Sequence, residues 1–253
     1  MYSNLTPWGK ERLAMRETLK DDKQYYGAYG RKFLSNSNIE SLIKDPASFN
    51  IPLEPTQAML EGSYFHTAML EPEKLKNFQI IDVASRATKA YKEACFEGER
   101  CLLRKEQLEV EKWVNKIKGD LEIHELIYNK NNKYELPEVD MIMNNLWKGK
   151  ADIITDDYII DLKTTNSKMH EFKYHASRFN YDSQAYLYQR LFNKKMLFIV
   201  IYKNTLQLQI SPCSEAFIDS GRLKVENATK QYNKFYGNEK THDPNHYIHR
   251  EML

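Results

Sequence analysis

The segment Gly149-Lys-Ala-Asp152-Ile-Ile-Thr-Asp-Asp-Tyr-Ile-Ile-Asp161-Leu-Lys163-Thr-Thr carries two carboxylates and an ammonium at a spacing that a β-hairpin would bring together. Taking Asp156-Asp157 as a two-residue turn sets Thr155 opposite Tyr158. Asp152 then faces Asp161, and Lys150 faces Lys163. Side chains alternate between the faces of a strand. Ala151, Ile153, Ile160 and Leu162 therefore make an apolar face, and Lys150, Asp152, Ile154, Ile159, Asp161 and Lys163 make the other. Directly opposed Cβ atoms stand roughly 4.5–5.5 Å apart, and like charges there are destabilising. A divalent cation offsets that repulsion, and two carboxylates with water or phosphate oxygens suit magnesium. Lys163, on the same face as Asp161, can orient an attacking water or stabilise charge developing on a phosphate. The competing reading is a hairpin face of solvated charges, since an Asp-x-Lys triplet alone is common.

The elements that must hold these residues follow from periodicity. Val139–Met143, Gly149–Thr155 and Tyr158–Lys163 read as short strands, separated by the turn pairs Asn144-Asn145 and Asp156-Asp157. A helical stretch at about 181–193 follows, then strands Met196–Tyr202 and Leu206–Ile210 joined around Asn204, and a long helix at about 214–236. The front half reads as helical. A helix near Trp8–Lys20 is expected, and a capped helix starts at Ser37 or Asn38 and ends at Asp45-Pro46. Gln57–Leu70 forms a further helix, and 103–121 is amphipathic, with Leu103, Val110, Trp113, Val114, Ile117 and Leu121 at helical spacing. The expected fold class is α/β (α+β): a central mixed sheet flanked by helices, with a helical N-terminal half. Residues 1–33 read as an extension with no assignable role. Residues 34–253 read as one domain, with a helical part at 34–130 and a catalytic sheet with helices at 131–253.

Other residues could serve the same site. Gln184 and Tyr188 are four apart and share a helix face, where they could touch a nucleic-acid strand; helix packing for Tyr188 and a solvated Gln184 is the alternative. Glu138 could add a carboxylate, although a simple hairpin about Asn144-Asn145 puts it on the face opposite Asp152. A bulge would bring it round, and a plain surface glutamate is the alternative. Arg86, Lys89, Lys92 and Arg178 are basic residues that could grip phosphates, or equally form a solvated charged face.

Several ordered motifs make the chain resemble the PD-(D/E)XK nuclease superfamily, in its exonuclease VIII-like and RecB-type branch, from about Leu34 to the end. Asp152 with Asp161-Leu162-Lys163 is similar to the catalytic Asp and Asp-x-Lys. Gly62-Ser-Tyr-Phe-His66 resembles the Gly-x-x-x-His motif, and Gln184-Ala-Tyr-Leu-Tyr188 the Gln-x-x-x-Tyr motif. Leu34-Ser35-Asn-Ser37 with Asp45-Pro46, Leu70-Glu71-Pro72 and the region from Arg86 through Lys89 to Leu103 also match. Ala151 stands where the family usually has the proline of its Pro-Asp pair, and Asp161 takes the second acidic position. The resemblance implies a restriction-endonuclease-like fold with Asp152, Asp161 and Lys163 as the catalytic set. It also implies a metal held by His66, Asp152, Asp161 and the Leu162 backbone carbonyl, to which Glu138 is an outlying candidate from its place in the strand order alone. It assigns DNA contacts to Gln184, Tyr188, Arg86, Lys89 and Arg178. Magnesium is the implied ion, and the imidazole would help admit manganese. The implied activity is hydrolysis of linear double-stranded DNA from its ends, 5′ to 3′, in recombination or phage DNA metabolism. A single-strand annealing protein and further copies of the chain are the implied partners.

Composition narrows the alternatives. The 253 residues are 42% hydrophobic and 28% charged, with 17 Tyr and 11 Phe, which is a folded rather than a disordered composition. The longest apolar run, 196–202, is far too short to span a bilayer. A sparse set of three cysteines and an N-terminus without a signal-like apolar stretch fit a reducing, cytoplasmic compartment, that of a bacterial host if the gene is phage-borne. No CxxC pair supports an iron–sulfur cluster, and no Gly-rich phosphate loop supports nucleotide binding. A net charge of +2 leaves any nucleic-acid argument to local clusters. Two rival functions remain at this stage: an endonuclease or single-strand-specific nuclease on the same site, and a non-catalytic DNA-binding or assembly protein retaining the fold.

Overall fold

The computed structural model describes residues 6–52, 54–95, 101–238, 240–248 and 250. In chain order, helices α1 (Pro7–Leu19), α2 (Asp22–Tyr26), α3 (Ile39–Lys44) and α4 (Gln57–Leu70) come first. A two-residue strand β1 (Ile80–Ile81), α5 (Lys89–Ala94), β2 (Leu102–Leu103), α6 (Arg104–Lys118) and α7 (Leu121–Ile127) follow. Then come β3 (Lys133–Ile142), β4 (Asn145–Ile154), β5 (Tyr158–Thr165), α8 (Phe172–Arg178), α9 (Tyr181–Phe192), β6 (Lys195–Tyr202), β7 (Gln207–Pro212) and α10 (Glu215–Phe235).

Strands β3 to β7 lie side by side in chain order, antiparallel except for the parallel β5–β6 pair. That one parallel neighbour requires a crossover, which α8 and α9 supply. Both faces of the sheet are covered. Ile154, Ile159, Phe198 and Val200 pack with Ala185 and Leu187 of α9 and Val225 and Ala228 of α10. Ile153, Ile160, Leu162 and Ile199 pack with Phe65 of α4 and Val110, Trp113 and Ile117 of α6. Double coverage explains why β6 reads as an unbroken apolar run: Met196 to Tyr202 are all buried.

The β4–β5 hairpin turns where the sequence indicates. The Thr155 N–H donates to the Tyr158 carbonyl at 2.9 Å, and the Thr155 hydroxyl accepts from the amides of Asp157 and Tyr158. Ile153 pairs with Ile160 and Ile154 with Ile159, the expected register. The ladder stops there, because the Asp152 carboxylate accepts the Leu162 N–H at 2.8 Å. Face alternation slips at this point. Ala151, expected beside Ile153, instead joins the cluster of Ile154 and Ile159.

The β3–β4 hairpin departs from expectation by one residue. Its turn residues are Met143 and Asn144, both with positive φ (52° and 60°), so Ile142 pairs with Asn145. Left-handed backbone is unfavourable for methionine, but Met143 packs against the α9–α10 core and receives the Thr229 hydroxyl at its sulfur. The helix expected at 103–121 is two helices, α6 and α7, with Asp120 between them capping the second through the Ile123 N–H. Cys95 and Cys101, Cα atoms 6.3 Å apart, form a disulfide next to β1–β2, and Cys213 is a free thiol.

Residues 7–26 are not an isolated arm. Arg12 and Arg16 of α1 reach Glu138 on β3 at 3.3 and 3.4 Å, and Arg12 reaches Asp140 at 3.0 Å. The aromatic ring of Tyr25 in α2 lies 3.9 Å from the ammonium of Lys148 on β4.

Candidate active site

A cleft of about 530 Å³ opens where β4 and β5 part. Its walls come from α2 (Asp22, Tyr25, Tyr26), α4 (Ser63, His66, Thr67), the strands (Glu135, Lys148, Lys150, Asp152, Asp161, Lys163) and α9 (Gln184, Tyr188). Helix α4 begins with Thr56 accepting the Met59 N–H, and its interior apolar residues bind it to the sheet. One turn separates Gly62 from His66, so both lie on one face of α4. Glu135 sits at a backbone irregularity in β3, with φ of 47°.

Two groups of side chains meet in the cleft. His66 Nδ1 is 3.2 Å from Asp152 Oδ2. His66, Glu135 and Asp152 offer ligand atoms that all lie within 4.8 Å of one another. Across from them, Lys163 Nζ is 2.7 Å from Asp161 Oδ2, and Gln184 Nε2 donates to Asp161 Oδ1 at 2.5 Å. The Asp161 Oδ2 atom is buried and, despite the nearby ammonium, has no aligned hydrogen bond. Tyr188 donates its hydroxyl to the Lys150 carbonyl at 3.0 Å, tying α9 to β4 at the cleft floor.

The electrostatics follow from these contacts. Burial raises the Asp161 pKa, and the Asp152 charge adds to that; the Lys163 ammonium only partly opposes them. Burial would also raise Asp152, but His66, Lys163 and the Leu162 N–H together hold it below the usual carboxylate range. Burial and the Asp152 charge push Glu135 up, against Lys150. The neighbouring carboxylates overcome burial at both cations, leaving His66 and Lys163 raised. Lys163 is therefore an ammonium at neutral pH, suited to holding an anion and not to taking a proton.

The cleft holds five carboxylates (Asp22, Glu71, Glu135, Asp152, Asp161) against three ammonium groups and one imidazole. Like charges within a few ångströms are unfavourable. The compact His66–Glu135–Asp152 trio beside the buried Asp161 carboxylate is a donor set suited to a divalent cation. The residues present thus fit the metal that the sequence motifs imply.

The family described as "PDDEXK-like domain of unknown function (DUF3799)" matches residues 36–246. This chain belongs to the PD-(D/E)XK nuclease family. Its restriction-endonuclease-like fold is similar to the solved structure of the "Putative exonuclease" from Eubacterium rectale, with a TM-score of 0.65 at 15% identity. That likeness covers 92% of this chain and 95% of the other. A phage related exonuclease from Haemophilus somnus 129PT is more distant, with a TM-score of 0.35 and 16% identity over 80% of this chain and 94% of that one. No curated protein matches this sequence.

The PD-(D/E)XK motif residues Asp152, Asp161 and Lys163 all line one cleft with His66, Gln184 and Tyr188. Other expected residues lie elsewhere. Glu138 does not reach the cleft; Arg12 and Arg16 hold its carboxylate. Arg86 is committed to Glu106 by two contacts of 2.6 Å and lines a different cavity with Trp113 and Lys203. Lys89 is exposed and pairs with Glu93 at 3.4 Å. Arg178 is exposed beside a third cavity near α10. At Leu162 it is the amide N–H that is engaged by Asp152.

Sequence reading missed Glu135, Asp22, Tyr26 and Lys148. A turn at Met143-Asn144 continues the ladder so that Glu135 stands level with Asp152; a turn one residue later sets Pro137 there instead. Lys150, expected level with Lys163, pairs instead with Asp22 at 2.7 Å and Glu135 at 2.9 Å.

Lys148 is buried, and its ammonium donates to the Tyr25 carbonyl. Burial lowers its pKa to about 8 from the ordinary 10.5. With the folded value below the unfolded one, this residue's favourable contribution is complete above about pH 10.5 and is lost as pH falls through about 8. Lys148→Met should remove that slope. The difference in melting temperature between parent and variant should shift toward the parent as pH rises from 8 to 10. A constant difference across that range would refute the assignment.

Proposed function

We propose that this chain is a divalent-metal-dependent deoxyribonuclease that hydrolyses linear duplex DNA from its ends. The observation that supports it most is the meeting of the His66–Glu135–Asp152 trio with the Asp161–Lys163 pair in one acidic cleft. Glu135, Asp152 and His66, with Asp161 and the Leu162 carbonyl as further donors, would hold magnesium or manganese, which when bound would supply Lewis-acid activation of water and charge stabilisation.

The protein's own groups do the rest. Lys163, kept charged by Asp161, holds the attacking water or a non-bridging phosphate oxygen and stabilises the charge that builds there. Gln184 fixes the Asp161 carboxylate by one oxygen, and the other faces the Lys163 ammonium in the cleft. The Leu162 N–H and His66 fix Asp152. Such prepositioning lowers the reorganisation needed on reaching the transition state. Tyr26, 67% exposed at the cleft mouth, is placed to meet the substrate.

Digestion of end-labelled linear duplex beside a covalently closed circle tests this reading. With magnesium, the linear DNA should be degraded, the 5′ label released before the 3′ label, and the closed circle left intact. EDTA should stop the reaction. Linearisation of the circle at a comparable rate would make the protein an endonuclease. Failure to cut any DNA would leave a non-catalytic DNA-binding protein.

A further inference from the structure

The segment between β5 and α9 is rich in basic and aromatic residues. From Asn166 to Tyr181 it carries Lys168, Lys173 and Arg178 with His170 and His175, against a single acid, Glu171. It also exposes large aromatic surface, with Tyr174 66% and Phe179 58% accessible. Phe172, by contrast, is buried and anchors α8 to the sheet.

The aromatic groups form a path. The His175 and Phe179 rings have centroids 6.1 Å apart, and Phe179 and Tyr181 are also 6.1 Å apart, tilted by 35°. The Tyr181 ring in turn lies 4.5 Å from the Lys163 ammonium. Between them, Asn180 adopts a left-handed turn (φ 58°) that swings Phe179 outward, and its carbonyl accepts from Asn36, a cleft-wall residue, at 3.1 Å. The path therefore starts at the surface and ends at the catalytic ammonium. Lys173 and Arg178 of α8 are both exposed, Lys173 with its ammonium over the Tyr174 ring and Arg178 next to Phe179 in the chain.

We infer that His175, Phe179 and Tyr181, flanked by Lys173 and Arg178, form a stacking track for a single DNA strand at the rim of the cleft. Aromatic faces accept any base, and interleaved cations follow the phosphates; together they give sequence-tolerant single-strand binding. A duplex keeps its bases stacked inside and offers such rings nothing. A protein partner would call for an apolar patch without this excess of positive charge. The inference rests on the nuclease reading only in taking DNA as the polymer.

The test is fluorescence anisotropy of the full chain, in EDTA, with a labelled thymidine oligonucleotide of about 20 nucleotides and a blunt duplex of equal length. Phe179→Ala should weaken single-strand binding about tenfold and duplex binding far less, and Phe179→Trp should restore it. Lys173→Ala should reduce the salt dependence of single-strand binding by about one phosphate's worth. Circular dichroism should be unchanged, because Phe179 is exposed. Single-strand affinity indifferent to Phe179→Ala would overturn the track, as would a change in sedimentation mass showing the patch to be a self-association surface. If the protein binds the oligonucleotide through Phe179 yet cuts no DNA, the track stands and the nuclease reading falls. If it degrades linear duplex while Phe179→Ala changes nothing, the reverse holds.

Discussion

Asp161→Asn should lower magnesium-dependent cleavage of linear duplex at least about 10³-fold, some 4 kcal/mol of transition-state stabilisation. Asparagine keeps the shape and can still accept from Gln184, but it removes the negative charge that faces Lys163 at 2.7 Å. The carboxylate is buried and its pKa raised, so the folded protein without metal gains little from it. A costly buried charge retained beside Asp152 makes sense as a group held for a cation. The variant should therefore fold, with a far-ultraviolet spectrum like the parent's, while losing its activity. Lys163→Met should show the same combination. A folded Asp161→Asn protein that keeps a tenth or more of parental activity would eliminate this site as the catalytic one.

The parts of this site legible in the sequence are those set by short-range rules. The turn at Asp156-Asp157 is fixed by local chemistry, since the Thr155 hydroxyl accepts two amides within three residues. That turn dictates the register that brings Asp152 near Asp161. Helical spacing puts Gln184 and Tyr188 on one face, the Gln-x-x-x-Tyr resemblance directs that face to the site, and both reach the cleft. What escaped depends on long-range packing. Met143 takes a left-handed turn conformation because the α9–α10 core receives its side chain, and no local preference announces that. The resulting one-residue displacement of the turn is what puts Glu135, and not Pro137, level with Asp152. Arg86 has the composition of a phosphate contact, but its partner is Glu106, which also caps the start of α6 through the Leu103 N–H. Asp22 and Tyr26 join the cleft only because α1 docks on β3 through Arg12 and Arg16.

The largest stability loss should come from a residue with no side chain. A Cβ on Gly221 of α10 would stand 2.0 Å from the Asp182 carbonyl oxygen and 2.8 Å from the Ser183 nitrogen, both backbone atoms of α9. Neither can swing aside, so Gly221→Ala must push the helices apart. That separation would pull Ser220 and Lys224 from the Asp182 carboxylate, which is fully buried and accepts from them at 2.9 Å each. A buried charge that loses its ammonium partner and one of its hydroxyl donors, keeping only Ser177 and the Ser183 N–H, is among the costlier defects a core can carry. Alanine is otherwise the better helix former, by about 1 kcal/mol, so the sign of the effect is decided by the crossing. The expected loss is about 3 kcal/mol, or a melting temperature lower by about 6–12 °C for a chain of this length. Gly62 in α4 supplies the control, because a Cβ there meets nothing within 4 Å. Gly62→Ala should raise stability by about 0.5–1 kcal/mol through helix preference alone. Thermal melts of the two variants should therefore move in opposite directions. If Gly221→Ala also melts higher than the parent, the close α9–α10 crossing is wrong, and with it the placement of Gln184 over Asp161.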